Sequence, residues 1–449
     1  MESTAISQLP IAVVGGGVAG ISAAFHLSQS GVSTILFERS DRLGGRISSF
    51  FDKTFGTELD LGVHIISGGY RHFLSLLRGF GTEKELHWIQ PLHLPFKGIG
   101  TPTYHLRFRP WPGIWGLLPG FLSYRAVTIS ERMSLIRQMF RLASMRHVSA
   151  ISVETWLSDI GATPKQRSRF WEPLILATLN AEPRQVGLAG LRQIIRLGLS
   201  QPKGFSLGLP LKPWQEIVGD PALNHLKRRG VEVHFRSKVT QVLVEGKQAC
   251  GIIADGRRWP VSAVILSVSP WDWRHIFPRE QFDFLFDAAW LTPPSSAVHS
   301  LYFPSNTRPP MTWPMFGLLG MTNHWAFVRC SPNHGSPWLI STVMSASDHL
   351  LSEPEDKILA IASGELRALW PDFALESGKA RCIRLRRATC PFDVDLESRR
   401  PVQKTEVAGL FLAGDATKTG LPATLESAAR AGFLAAEAFL REKRRIPLQ

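Results

Sequence analysis

An α/β fold organised around a parallel sheet is predicted by three stretches near the start of the chain. The first is an apolar strand, Ile11-Ala-Val-Val14, that runs into Gly15-Gly-Gly17-Val-Ala-Gly20. The second is the helix leaving that turn, read from Ala19 to Ser30. The third is another apolar strand, Thr34-Ile-Leu-Phe37, closed by Glu38. Strand, glycine turn, helix, strand and acid in this order form the Rossmann-like fingerprint for a dinucleotide.

Each part has a physical reason. Gly15 permits the tight turn, Gly17 lets backbone approach a pyrophosphate, and Gly20 lets the helix pack close to its strand. The free N–H groups of Val18 and Ala19 at the helix start face the diphosphate. Glu38 is placed to accept a ribose hydroxyl, and its charge disfavours a 2′-phosphate, which argues against NADP. Asp41-Arg42-Leu43-Gly44-Gly45-Arg46 then offers Gly44 and Gly45 for close passage of the chain and an arginine fork for phosphate oxygens. Late in the chain, Gly409-Leu-Phe-Leu-Ala-Gly414-Asp415 reads as a buried strand stopped by Gly-Asp. Leu421-Pro422-Ala423-Thr424 follows it and opens an apolar helix from Leu425 to Phe439. Pro422 suits the first turn of that helix, whose dipole would face a negative group.

The set G-x-G-x-x-G, E-x-x-x-R-x-G-G-R from Glu38 to Arg46, and A-G-D-x-T…P-A-T-x-E from Ala413 to Glu426 resembles the flavin amine oxidase and phytoene desaturase superfamily. The resemblance spans Ile11 to Phe439. It implies a glutathione-reductase-type FAD-binding domain, discontinuous in sequence, with a second substrate domain of mixed sheet plus helices. It also implies FAD contacts from Arg39, from the backbone at Val239 to the adenine, from Gly414-Asp415 to the ribityl chain and pyrophosphate, and from Pro422, Ala423 and Thr424 under the flavin ring. Leu59-Asp60-Leu-Gly62-Val-His64, Gly69-Tyr70-Arg71, Trp171-Glu172-Pro173-Leu174, Ala177 to Asn180 and Asn323 to Phe327 are similar to the squalene-associated branch, the hydroxysqualene dehydroxylases. Leu61 and Val63 stand where that branch usually has Asn and Gln, Ala416 where it usually has an aromatic, and His324 where it usually has Gln. These departures bear on the pocket lining, not on flavin binding.

Composition narrows the partners. At 449 residues with 44% hydrophobic and 20% charged content, the chain is globular, with room for two to three domains. Fifty-one Lys and Arg against 37 Asp and Glu give a net charge of +14. No basic block interleaved with aromatics supports a nucleic-acid partner. A peripheral contact with an anionic membrane surface fits better. Arg109 and Arg125 bracket an uncharged stretch containing Trp111, Trp115 and Phe121, too short and too broken by Pro and Gly to span a bilayer. These aromatics either dock on a membrane or line an internal apolar pocket. The segment Ser130 to Arg146 reads as a basic amphipathic helix, ordinary for the surface of a basic protein. The opening residues lack a basic-then-apolar signal, so the expected location is the cytoplasm, resting at most on the inner membrane face. Cys250, Cys330, Cys382 and Cys390 show neither metal spacing nor a redox pair, and no metal is expected.

The expected organisation is FAD-binding segments at 1–79, 205–269 and 400–449. A helix-rich substrate-domain part fills 80–204, and a part made of short strands and Pro-rich turns fills 270–399. Within the first segment, the turn from Asp60 to His64 precedes a helix from Tyr70 to Arg78.

The implied chemistry is hydride exchange at a carbon held against the flavin. A hydrocarbon substrate needs a long dry pocket, and 14 Trp with 26 Phe can wall one and stabilise cationic character. For hydroxysqualene the allylic hydroxyl would leave and reduced FAD would give hydride, which wants an acid near the oxygen. The candidates are His64, Asp60 and Tyr70, with Glu172 and Glu426 behind them. Against these roles, Asp60 can simply cap a turn, His64 bind backbone, and Glu426 suit a helix N-terminus. A single glycine fingerprint leaves no second site for NAD(P)H, so reducing equivalents would come from free nicotinamide or a partner reductase. The alternatives are a phytoene-type desaturase, an amine oxidase, or a non-catalytic prenyl-binding protein of the same fold.

Overall fold

In the computed structural model, which describes residues 9–109, 111, 113–148, 150–199, 203–329 and 338–445, five parallel strands form one sheet. Their order is Glu232–His234, Thr34–Phe37, Ile11–Val14, Ala263–Leu266 and Leu410–Leu412. The last four are buried along their whole length, so they read in sequence as continuous apolar runs rather than alternations. Alternate side chains serve opposite faces. Ile11 and Val13 pack towards the helices Val18–Gln29 and Leu425–Arg445. Ala12 and Val14 pack towards a three-stranded antiparallel layer, Val239–Glu245, Gln248–Ala254 and Arg257–Pro260.

The two helices touch at backbone distance. A Cβ on Gly432 would lie 2.1 Å from the Ala19 carbonyl oxygen, and Ser22 Oγ donates to the Ala429 carbonyl at 2.7 Å. The first and last helices of the nucleotide-binding sheet are therefore locked together.

A second, seven-stranded sheet runs in the order Arg381–Thr389, Ser296–Ser305, Trp338–Ser345, Trp325–Arg329, Met315–Leu318, His93–Lys97 and Tyr104–Arg107. An apolar core joins it to helices between Leu118 and Leu199. Segment 80–204, expected to be helix-rich, also contributes the strands Leu86–Ile89, His93–Lys97 and Tyr104–Arg107. These are four or five residues long, one carries Pro95, and His93–Lys97 pairs in parallel with residues more than two hundred positions later. Segment 270–399, expected to be strands and turns, also holds the helix Glu355–Leu369, whose buried Ile358, Ala362, Leu366 and Leu369 carry a helical period. Among the described residues no helix is long and apolar enough to cross a membrane. Cys250, Cys382 and Cys390 are free thiols, and Cys330 lies outside the described residues.

Candidate active site

Two glycine loops lie back to back at the end of the parallel sheet. Gly44 N–H donates to the Gly16 carbonyl at 2.8 Å, and a Cβ on Gly45 would come within 3.1 Å of Gly17 Cα. A Cβ on Gly20 would sit 1.8 Å from the Gly15 carbonyl oxygen, so only glycine lets the helix start this close to the turn. A Cβ on Gly17 would meet nothing within 4 Å, because that side of the loop faces open cavity. Ser267, directly after the Ala263–Leu266 strand, donates to the Val14 and Gly15 carbonyls, both at 2.8 Å, and pins the loop from below.

Glu38 is buried. One of its oxygens accepts from Gly16 N–H at 2.6 Å, and the other accepts from the Ser40 N–H and hydroxyl, each at 2.8 Å. The oxygen that takes only the Gly16 N–H has a further lone pair for a ribose hydroxyl, and Glu38 lines the cavity. Arg39 also lines it and pairs with Asp272 at 3.3 Å. Arg46 reaches across to Asp415 at 2.6 Å and donates to the Ala388 carbonyl at 2.6 Å. Arg400, buried and absent from the sequence reading, donates to the Asp415 main-chain carbonyl at 2.7 Å and holds the late Gly-Asp turn in place.

Glu38, Arg39, Arg46 and Asp415 share one cavity of about 980 Å³ with the glycine loops. That volume lies at the upper end for a single small-molecule site, as a compartment for a dinucleotide and part of a substrate requires. Gly15, Gly17, Val18, Ala19, Glu38, Arg39, Gly44, Gly45, Arg46, Val239, Gly414, Asp415, Ala423 and Thr424 all border it. Gly20 and Pro422 do not. Gly20 sits behind the turn it allows, and Pro422 lies one residue before the bordering pair Ala423 and Thr424. Past the nucleotide loops the walls become apolar, with Leu94, Phe96, Phe170, Leu174, Phe205 and Phe327 among them.

The acid candidates separate. Asp60 is fully buried away from the cavity. Its Oδ1 accepts from Ser49 Oγ at 2.6 Å and from the Trp214 N–H at 2.9 Å, while Tyr302 donates to its main-chain carbonyl at 2.8 Å. The structure therefore makes Asp60 a tie between three distant segments, not a group at the reacting centre. Glu426 also leaves the candidate set. Its carboxylate accepts from the His72 and Phe73 N–H groups, both at 3.0 Å, and caps the helix His72–Phe80. Glu172 does not border the cavity; burial raises its carboxyl, opposed by Arg167 and helped by Glu154.

His64 and Tyr70 do border it. His64 Nε2 lies 3.3 Å from the Arg46 carbonyl. Burial pushes the Tyr70 hydroxyl far above the ordinary phenol range; the Glu426 carboxylate adds to this, and a hydrogen bond with Thr424 works against it.

The sequence reading assigned no role to Asn180, which borders the cavity in the left-handed conformation at φ 48°. Its amide donates to Thr389 Oγ1 at 2.9 Å and accepts from Ala346 N–H at 2.9 Å. A lone Asn ending the apolar run Leu174-Ile-Leu-Ala-Thr-Leu179 was the available signal.

The family model described as flavin containing amine oxidoreductase matches residues 18–440. The hydroxysqualene dehydroxylase of Sinorhizobium fredii is 28% identical, covering 96% of this chain and 98% of its own. That of Zymomonas mobilis subsp. mobilis is 25% identical over 95% and 97%. The 15-cis-phytoene desaturase of Glycine max is 23% identical over 97% of this chain and 80% of its own. Among solved structures, an oxidoreductase from Methanosarcina mazei superposes with a TM-score of 0.76 at 16% identity, covering 96% of this chain and all of that one, a likeness of fold.

Proposed function

This chain belongs to the flavin-containing amine oxidoreductase family and is an FAD-dependent oxidoreductase, and from that premise we propose that it converts hydroxysqualene to squalene. The observation that carries this reading is the continuity of one cavity from the nucleotide loops into a lobe walled by Leu94, Phe96, Phe170, Leu174, Phe205 and Phe327. Such a lobe suits a hydrocarbon chain, which pays no desolvation penalty there. The relatives named hydroxysqualene dehydroxylase, matched along nearly their whole length, support the same substrate class.

FAD fits the residues present, since Gly17, Gly45 and the Arg46–Asp415 pair leave and frame the space it needs. When bound and reduced, it supplies the hydride. The net change replaces a C–O bond by a C–H bond and releases water, so one proton must reach the leaving oxygen. Tyr70 enters protonated, as any phenol does at neutral pH, and it is hydrogen-bonded to Thr424. It is the proton donor in this reading, with His64 on the same cavity as the group that orients the alcohol. Reducing equivalents come from a nicotinamide or a partner reductase.

The experiment is anaerobic incubation of the reduced holoprotein with hydroxysqualene, with products read by mass spectrometry. Squalene is expected. A second reading, phytoene-type desaturation, is favoured by the Glycine max relative. It predicts instead that the oxidised protein adds double bonds to a polyene and leaves hydroxysqualene untouched. A colourless protein that binds prenyl chains without turnover would sink both.

A further inference from the structure

We propose that the face carrying Trp111, Trp115, Leu122, Ile129 and Met133 docks on an anionic lipid bilayer and brings the apolar lobe of the cavity next to the lipid. The purpose of that contact, uptake of an isoprenoid from the bilayer, rests on the function proposed above. The contact itself rests on the surface.

Trp111 is 56% exposed, Trp115 61% and Ile129 74%, with Leu122 and Met133 exposed beside them in sequence. Large side chains of this kind normally find cover, and a contiguous group of them marks a contact surface. The helix Ile129–Ser144 explains how they gather. Leu135, Gln138, Met139 and Leu142 point into the core. At 100° per residue, Ile129, Met133, Ile136 and Phe140 fall on a different face. The Trp115 ring lies 6.1 Å from the Phe140 ring, and Arg132 donates to the Leu122 carbonyl at 3.0 Å. Trp115, Leu122 and the apolar stripe of the long helix thus lie on one side of the protein.

Charge decides the occupant. Between positions 105 and 150 stand Arg107, Arg109, Arg125, Arg132, Arg137, Arg141 and Arg146 against one acid, Glu131. Glu131 is already spent on the Thr128 N–H and hydroxyl and on the Thr163 hydroxyl. On the helical wheel Arg137 and Arg141 border one side of the apolar stripe and Arg132 the other. A second copy of this chain would bring seven more arginines against these. An anionic leaflet complements both the exposed tryptophans, which favour the interfacial region, and the arginines beside them.

The patch also abuts the cavity. On the helix that exposes Leu122, Phe121 is buried, its ring 5.2 Å from Phe170 and 6.0 Å from Phe108. Phe108 in turn lies 5.7 Å from Phe205. Phe170 and Phe205 are cavity walls. One layer of aromatic side chains separates lipid from the apolar lobe.

The test is sedimentation of the holoprotein with phosphatidylcholine vesicles made with and without phosphatidylglycerol, at low and high salt. Binding to the anionic vesicles that weakens with salt is expected. Arg137→Gln with Arg141→Gln should weaken it about 25-fold, at roughly fivefold per charge. Trp111→Ser with Trp115→Ser should weaken it at least about tenfold. Each variant should keep its flavin content, its melting temperature and its turnover of detergent-dispersed substrate. Wild-type protein that fails to sediment, or variants that bind as well as it does, would overturn the proposal. So would self-association in light scattering that the tryptophan variant abolishes. Sedimentation involves no turnover, so a failure to make squalene would leave this proposal standing.

Discussion

Gly17 and Gly20 lie three residues apart, and opposite results are expected from enlarging them. Gly17 has φ −74° and ψ 179°, a conformation any residue adopts, and a Cβ there meets nothing. Gly17→Val should therefore fold, with apoprotein stability within about 1 kcal/mol of the parent. The added methyl groups would occupy the space that a pyrophosphate must enter. In the parent, flavin at about a hundred times its dissociation constant adds roughly 2.7 kcal/mol of stability. That increment should vanish in Gly17→Val while the apoprotein melting curve stays in place. Gly20→Ala instead drives a methyl to 1.8 Å from a main-chain oxygen, so it should lower the apoprotein melting temperature itself. The assay is absorbance near the flavin maximum in the purified proteins, with thermal melts in the presence and absence of added FAD. A yellow Gly17→Val protein with the parent's flavin content would refute the placement of the diphosphate. An unperturbed Gly20→Ala would refute the claim that the helix start cannot move.

Tyr70→Phe should retain flavin yet lose about a hundredfold or more in turnover of hydroxysqualene, the ordinary contribution of a positioned acid; unchanged turnover in a stopped-flow assay would remove Tyr70 from the chemistry. Asp60→Asn should lower the melting temperature but leave turnover per bound flavin near the parent's, because Asp60 holds Ser49 and Trp214 rather than substrate. Glu426→Gln gives up one of two charge-assisted bonds to the His72–Phe80 helix and should cost about 1–3 kcal/mol in denaturant titration. His299 has its value lowered to about 4 by burial first, then by the positive charges of Arg384 and His349. The unfolded chain takes up that proton from about pH 6.5 downward, so the stability this neutral histidine preserves is full above 6.5 and is lost as pH falls towards 4. Its share is a fall of about 3 kcal/mol across that window, and His299→Gln should flatten the pH profile of the unfolding free energy by that amount in denaturant titrations.

Local grammar was readable wherever one segment states its own constraint. The Ile11–Val14 strand, its glycine turn and Glu38 declare themselves because a buried parallel strand must be apolar throughout and the turn leaves only glycine room at Gly15 and Gly20. Long-range ties were not readable in this way. Asp60 ends a strand beside His64, and spacing alone cannot tell which face of the chain each residue serves; that depends on Trp214 and Tyr302, far along the sequence. Arg400 was invisible for the same reason, since its role exists only once the Gly414-Asp415 turn has come to rest on it. The Trp-rich segment left two readings open, and the structure divides it. Phe121 turns inward, and Trp111 and Trp115 turn outward. The strands between Leu86 and Arg107 escaped notice because their length and composition are weak without the sheet that recruits them.

The lock between the Val18–Gln29 and Leu425–Arg445 helices has a bearing on biosynthesis. The diphosphate turn leaves the ribosome well before the helix that braces it and the Gly414-Asp415 turn beside Arg46. The two halves of the site come together only once that later segment has been made. A nascent chain stalled between the two would carry the glycine turn without its Ser22–Ala429 brace.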